Sequence, residues 1–305
     1  MNRLLVFGAG GQVGRELSAA AAPPGWTVVG CDHEAVDIAD AGTVAHCVTD
    51  MRPAAVVNAA AYTAVDRAES ERESAFLVNE TGARNVAAAC AAARVPLIHL
   101  STDYVFDGTK RDAYAEDDTT RPLSVYGASK EAGERAVRAT QPAHIILRTS
   151  WVFAAHGANF VRTMLRLGAE RTELRIVDDQ RGGPTAALDI AGACLGLAAA
   201  IVGEPARWGT YHYVGTPVTT WHDFAAAIFA AVAGHRGPSP RLTRIATSEY
   251  KTAARRPMNS ALDCGKIARE FGITQPDWRP ALADVVARLL SAPEDRKSTR
   301  LNSSH

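Results

Sequence analysis

A chain of 305 residues with 47% hydrophobic and 22% charged content can bury a large core and sits near the upper limit for one domain, so one large domain with a smaller appended one is expected. Lysine plus arginine and aspartate plus glutamate each number 33, which removes any global attraction to nucleic acid or an anionic membrane and leaves a small molecule as the expected partner. Cys31, Cys47, Cys90, Cys194 and Cys264 include no CxxC pair and are odd in number, so they read as buried thiols in a reducing compartment; with no signal-peptide pattern and no run approaching the roughly 20 apolar residues of a membrane span, the expected location is the cytoplasm.

Arg3–Phe7 is a short apolar run ending in glycines, and Arg15–Ala22 follows with helical composition: strand, tight turn, helix. Thr27–Cys31 reads as a second strand, Val44–Met51 as a helix, Ala55–Asn58 as a third strand and Ala75–Ala93 as a long alanine-rich helix. Leu97–Ser101 is a fourth strand, Lys130–Thr140 lies on a helix and Ile145–Arg148 is a fifth strand. Parallel strands need long crossovers, usually helices, so this alternation predicts an α/β fold over residues 1–150: a doubly wound parallel sheet of the Rossmann kind. Beyond it the rhythm loosens. Asn159–Leu167, Thr185–Ile201, Trp221–Ala233 and Ala281–Leu290 read as helices, Leu174–Val177 and Thr210–Val214 as strands, and Gly234–Pro240 as a surface loop. Residues 151–294 are therefore expected to form a smaller C-terminal α/β substrate domain, with some segments returning to the first. The last stretch, Asp295–His305 (DRKSTRLNSSH), resembles the translation of a sequencing-adapter oligonucleotide and is expected to add nothing to the fold.

Gly8-Ala9-Gly10-Gly11-Gln12-Val13-Gly14 follows the first strand and opens the first helix, the context in which a glycine-rich run points to a dinucleotide. Glycine lets the backbone turn sharply near a pyrophosphate, while the helix N-terminus offers free N–H groups. Gly8, Gly11 and Gly14 have the GxxGxxG spacing of short-chain dehydrogenases. Asp32, ending the second strand, suits the hydroxyls of an adenosine ribose and would repel a 2′-phosphate, which His33 beside it could soften, so the cofactor is NADPH or NADH. Asp37 with Ile38, and Ala61-Tyr62-Thr63, fall where the adenine and nicotinamide-ribose walls should lie.

Tyr126 and Lys130 are spaced i, i+4 and share one helix face. Carbonyl reduction needs a proton donor to oxygen as hydride reaches carbon, and a nearby ammonium can bring a tyrosine toward working pH. Thr102, in Ser101-Thr102-Asp103-Tyr104 at the carboxyl end of the fourth strand, is the hydroxyl expected to bond the same oxygen. Glycine loop, strand-end hydroxyl and YxxxK together define a reductase of the extended short-chain dehydrogenase type.

The segments GAGGQVG, RPAAVVNAAAYTAVDRAESE, STDYVFDG, RPLSVYGASK, LRTSWVF, NFVRTMLRL, DDQRGGPT and RRPMNS resemble the dTDP-4-dehydrorhamnose reductase family across essentially the whole chain. The resemblance implies reduction of the C4 ketone of dTDP-4-dehydro-β-L-rhamnose, the last step to dTDP-L-rhamnose. It implies Tyr126 as proton donor, Lys130 as its tuning partner and holder of the nicotinamide ribose, and Thr102 and Asp103 as sugar contacts. Gly11, Gln12, Val13, Asp32, Asp37, Ile38, Ala61, Tyr62 and Thr63 would line the cofactor, and Trp151 would face the sugar. Asn159, Phe160, Arg255 and Arg256 would grip the thymidine diphosphate, although the residues alone equally describe a helix cap, a core aromatic and two surface charges. Lys251, Ala253, Ala261 and Ser124 depart from the family's usual residues. No carboxylate cluster in the sequence supports a metal, and a homodimer is the candidate assembly.

Two other readings fit the superfamily motif. A nucleotide-sugar epimerase or dehydratase needs extra acid–base residues after the threonine, typically a glutamate pair, where Asp103-Tyr104 stand here. A cofactor-binding regulatory subunit, of the kind that accompanies methionine adenosyltransferase, could dispense with Tyr126 or Lys130, and both are present.

Overall fold

The structure is a computed structural model that describes residues 1–203, 207–233 and 239–291. The loop expected at Gly234–Pro240, except its last two residues, and the tail from Asp295 lie outside the described residues.

Six strands form one parallel sheet: β1 (Asn2–Phe7), β2 (Trp26–Cys31), β3 (Ala55–Asn58), β4 (Leu97–Thr102), β5 (His144–Thr149) and β7 (Gly209–His212), in the spatial order β7-β5-β4-β3-β1-β2. Side chains alternate across it because successive Cβ atoms point to opposite faces. Leu4, Val6, Ile98, Leu100, Ile145 and Leu147 meet α1 (Gln12–Ala19) and α6 (Ala187–Ile201). Leu5, Phe7, Val56, Leu97 and Ile146 meet α2 (Ala41–Met51), α3 (Ala83–Ala93) and Val137 of α4 (Val125–Thr140). With both faces covered, the central strands β3, β4 and β5 are buried throughout, as their apolar runs require.

The chain moves one way from β1 to β2 and the other way through β3, β4 and β5, so a crevice opens at the carboxyl ends of β1 and β3, the point where such sheets bind ligands. The Thr210–Val214 strand expected outside the first domain is β7, which extends this sheet beside β5, with α6 packed on the same face as α1.

A second core gathers Phe153, Val161, Met164, Leu174, Ile176, Phe224, Ile228, Trp278 and Leu282. It is built from α5 (Phe160–Glu170), α7 (Trp221–Val232), α9 (Trp278–Ser291) and the parallel pair β6 (Glu173–Val177) and β8 (Arg241–Ile245). β8 carries two arginines and a threonine among its five residues, which hides its strand character in the sequence. Short pairs at 152–153 with 185–186, and at 181–182 with 219–220 and 259–260, join the two cores.

The helix expected at Ala75–Ala93 starts earlier and is broken: Arg72–Phe76 is α-helical, Leu77–Gly82 is a π-helical turn, and α3 follows. The widened turn presents the side-chain amide of Asn79 to the backbone of Tyr62, its Oδ1 accepting from Tyr62 N (2.9 Å) and its Nδ2 donating to Tyr62 O (3.1 Å). α4 begins five residues before its expected start because Ser124 caps it, accepting from Gly127 N (3.1 Å).

A Cβ on Gly133 of α4 would lie 2.1 Å from Asn79 O, so α4 rests directly on that turn. Gly133→Ala should therefore destabilise the fold by about 1–3 kcal/mol, although alanine favours helix, because the two backbones must separate. Denaturant unfolding measures this, and a stabilised variant would show that the contact does not constrain α4.

Candidate active site

Gly8 adopts φ +82° at the end of β1, and a Cβ there would lie 2.5 Å from Ala60 N, while one on Gly14 would lie 2.2 Å from Gly8 O. These two glycines are required by backbone meeting backbone, before any ligand is considered. Gly11 caps α1 with no side-chain acceptor, so no side chain of the cap takes up the first-turn N–H groups. An uncapped helix N-terminus suits a pyrophosphate.

The loop opens onto a cavity of about 750 Å³, a volume that accommodates a dinucleotide with part of a second ligand. Its lining includes Gly8, Gly11, Gln12 and Val13 from the glycine loop, Asp37 and Ile38 after β2, and Ala61, Tyr62 and Thr63 after β3. Thr102 and Asp103 after β4, Tyr126 and Lys130 of α4, and Trp151 after β5 line it as well. These residues fit NADPH or NADH: a glycine cradle, free helix amides, and a wall of small residues backed by Tyr62.

Of the residues expected in the site, Gly14, Asp32, Asn159, Phe160, Arg255 and Arg256 are not in this lining. Asp32 is exposed, with Oδ1 accepting from Ala35 N (2.9 Å), and His33 takes the lining position. Asn159 is the N-cap of α5: its Oδ1 accepts from Arg162 N (3.1 Å), and its Nδ2 donates to Gln12 Oε1 (2.8 Å) and Ala154 O (2.9 Å). Phe160 packs on Trp221 (centroids 4.7 Å) and Phe224 (5.6 Å) in the second core. The structure thus shows this pair as a helix cap and a packed aromatic, both half-buried, with Asn159 reaching the cavity through Gln12. Arg256 is half-buried against Asp66, with Nη2–Oδ2 at 2.7 Å and Nη1–Oδ1 at 3.1 Å, and Asp66 Oδ1 also accepts from Ala254 N (3.0 Å). Arg255 is exposed.

At the chemical end, Tyr126 and Tyr104 meet edge to face at 5.6 Å, and burial pushes the Tyr126 phenol up to about 12, the Thr102 hydroxyl opposing the rise. Lys130 is 3% exposed and donates from Nζ to Leu100 O (2.7 Å); burial lowers it to about 8, against the raising effect of the Glu134 carboxylate. Lys130 is not among the groups that shift Tyr126: burial and the Asp103 carboxyl raise the phenol and only the Thr102 hydroxyl opposes them, so the lowering expected from Lys130 is not what the geometry gives. Thr102 Oγ1 donates to Asp103 Oδ1 (3.1 Å) and accepts from Tyr104 N (3.2 Å). Asp103 is 2% exposed; its Oδ2 has no hydrogen-bond partner and burial pushes its carboxyl up to about 7.

Trp151 has φ +47° and stacks on Trp221 with centroids 3.5 Å apart and planes 8° from parallel. It lies over Gly182, where a Cβ would fall 2.6 Å from the indole. Stacking with Trp221, more than local propensity, holds a left-handed backbone at this wall of the cavity.

Sequence reading missed Asn79, Ser101, Glu134 and Arg148. The last two are buried charges whose partnership only the folded sheet creates, and a glutamate four residues after the YxxxK lysine was the available signal. Among the described residues, Asp178, His222 and Asp223 bring potential ligand atoms within 4.8 Å of one another, but Arg244 bonds both carboxylates, at 2.6 and 2.8 Å. No helix of the described residues is long and apolar enough to cross a membrane.

A doubly wound sheet, a glycine loop at its switch point and a Thr–Tyr–Lys set at the carboxyl ends of its strands define an oxidoreductase of the short-chain dehydrogenase/reductase class. The family model described as the RmlD substrate binding domain matches residues 1–291. The dTDP-4-dehydrorhamnose reductase of Aggregatibacter actinomycetemcomitans is 44% identical over 291 residues, 94% of this chain and 99% of that protein. That of Burkholderia thailandensis is 46% identical over 297 residues, 95% and 99% of the two chains. The crystal structure of the Bacillus anthracis reductase in complex with NADP superimposes with a TM-score of 0.87 at 36% identity, covering 94% of this chain and 99% of that one. The chain belongs to the dTDP-4-dehydrorhamnose reductase family.

The raised Asp103 pKa has a measurable consequence. Between its ordinary 3.8 and about 7 the folded protein keeps a proton that the unfolded chain has released, so the stability it contributes is full below about pH 4 and is lost as pH rises through 7. Raising the pH from 5 to 8 should therefore cost wild type about 2–3 kcal/mol more than Asp103→Asn. Urea unfolding at both pH values tests it, and equal losses would refute the assignment.

Proposed function

We propose that this chain catalyses the NAD(P)H-dependent reduction of the C4 ketone of dTDP-4-dehydro-β-L-rhamnose to dTDP-L-rhamnose. The observation that carries the reading is the convergence of Tyr126, Lys130 and Thr102 on one cavity beside the glycine loop, in a chain that matches reductases of this name over nearly its whole length. The epimerase and regulatory-subunit readings lack a comparable observation. Asp103-Tyr104 follow Thr102 in place of a glutamate pair, and both Tyr126 and Lys130 line the cavity.

The bound nicotinamide would supply the hydride. Tyr126 would donate its phenolic proton to the ketone oxygen as that oxygen gains charge. The phenol is protonated at neutral pH, and charge developing on the ketone oxygen would draw the proton off, against the raising effect of burial. Thr102, anchored at the end of β4 by Tyr104 N and Asp103, would direct its hydroxyl to the same oxygen. Lys130, held by Leu100 O, would place positive charge beneath the phenol and bond the nicotinamide ribose. Asp103, which lines the cavity and whose buried Oδ2 has no partner, would accept from a sugar hydroxyl, and Trp151 would cover a face of the sugar ring. Arg255, which is exposed, would meet the diphosphate, whereas Arg256 would first have to leave Asp66.

Tyr126→Phe removes the donated proton and little else. Its turnover should fall by about 10²- to 10⁴-fold while NADPH affinity changes less than about twofold. Cofactor absorbance with enzymatically prepared dTDP-4-dehydro-β-L-rhamnose measures the first and cofactor fluorescence the second. Turnover equal to wild type would overturn the acid role, and an inactive wild type that binds cofactor would overturn the substrate.

A further inference from the structure

Glu134 lies on α4 one turn beyond Lys130 and is 0% exposed. Its Oε1 accepts from Ser101 Oγ (2.6 Å) and Arg148 Nε (2.8 Å), and its Oε2 from Arg148 Nη2 (2.8 Å) and Arg138 Nη2 (2.6 Å). Burial alone would raise this carboxyl, yet Arg148 and Arg138 hold it down at about 2, so it is an anion at every pH at which the protein works.

The donors stand in a row. Ser101 of β4 is in register with Arg148 of β5, and Arg148 with His212 of β7, so all three side chains emerge on the α4 face at one level of the sheet. Arg148 Nη1 lies 3.3 Å from His212 Nε2, while His212 Nδ1 lies 3.1 Å from Tyr114 O. An imidazole between a guanidinium and a carbonyl must carry its proton on Nδ1, and burial keeps it neutral, down at about 3. The opposite end of the row is bonded through the peptide to Thr102, the hydroxyl proposed to meet the ketone.

We propose that Glu134 is a positioning residue for the reduction, clamping the β4 end that carries Thr102 to the helix that carries Tyr126 and Lys130. Two bonds join these elements at successive residues: Lys130 Nζ to Leu100 O, and Ser101 Oγ to Glu134. Without the second, the link of α4 to β4 rests on the first and on the close approach of Gly127 to Tyr104 O, and Thr102 gains room to shift relative to the phenol on the scale that governs a shared hydrogen-bonded oxygen. A buried ion pair adds little net stability over an apolar replacement, so a role in geometry accounts better for a charge placed here.

The inference rests on the proposed reductase activity, and the test separates the two. Ser101→Ala leaves the Glu134–Arg148 pair whole and cuts only its link to β4. It should fold with a Tm near wild type, bind NADPH within about twofold, lose about tenfold in kcat and exchange amide hydrogens faster over residues 101–105. Glu134→Leu combined with Arg148→Met removes the pair without stranding a buried charge, and should show the same kcat loss and faster exchange. Should that double variant fail to fold, Ser101→Ala decides alone. Wild-type kcat and exchange in folded Ser101→Ala would overturn the clamp, as would a kcat loss matched by loss of cofactor binding and stability. If wild type itself does not turn over the ketosugar, the reductase reading falls, and the exchange contrast still decides the clamp.

Discussion

The helix α4 has to approach two other backbones more closely than any side chain allows. A Cβ on Gly127 would lie 2.2 Å from Tyr104 O, and one on Gly133 would lie 2.1 Å from Asn79 O. Glycine in a helix interior costs about 1 kcal/mol relative to alanine, so α4 gives up intrinsic stability twice to obtain this proximity. What the approach provides is the site. The first contact sets Tyr126 against the Thr102–Tyr104 turn, and the second seats α4 on the π-helical segment whose Asn79 holds Tyr62 at the cavity wall and donates to Ser129 Oγ (2.9 Å). Ser129 in turn donates to Tyr126 O (2.8 Å), so the Asn79 amide is linked through one hydroxyl from the wall to the backbone of Tyr126.

Burial acts on every ionisable group at this centre, and the partners decide the outcome. Asp103 and Glu134 are both carboxyls with almost no exposure, yet one is pushed up to about 7 and the other held at about 2. The difference is that two guanidiniums face Glu134, whereas Asp103 meets only hydroxyls and leaves one oxygen without a partner. Lys130 is lowered and Tyr126 raised by the same desolvation. Behind the cavity, then, lies a permanent ion pair, while the lining holds groups whose charge can change, the kind of perturbed groups that cluster at functional sites.

Much of this was legible in the sequence because the signals were local. The glycine loop, the five strand runs and YxxxK each depend on residues within a few positions of one another. What escaped depends on residues far apart. Thr210–Val214 read as a strand, but only pairing with β5 shows that it belongs to the main sheet. Ala75–Ala93 read as one helix because alanine composition carries no trace of a π turn imposed by Gly133 some fifty residues later. Asn159 and Phe160 also depend on distant residues: the hydrogen bond to Gln12 and the packing on Trp221 leave no local trace in the sequence. Asp32 was placed at the correct strand end, but its carboxylate turns to the Ala35 amide, a contact that chain position alone does not specify.

The row Ser101–Arg148–His212 exists because three parallel strands are aligned residue for residue. A slip of one position in β5 would turn Arg148 to the opposite face, into the aliphatic layer around Ile98 and Leu100, and would leave Glu134 facing a leucine. The hydrophobic alternation that makes such a slip unfavourable and the electrostatic pairing that makes it intolerable thus select the same alignment from independent sides. In this sheet the polar row acts as a checksum on the apolar ones: a misregistered strand would carry an unpaired guanidinium into the core, at a cost the native register avoids.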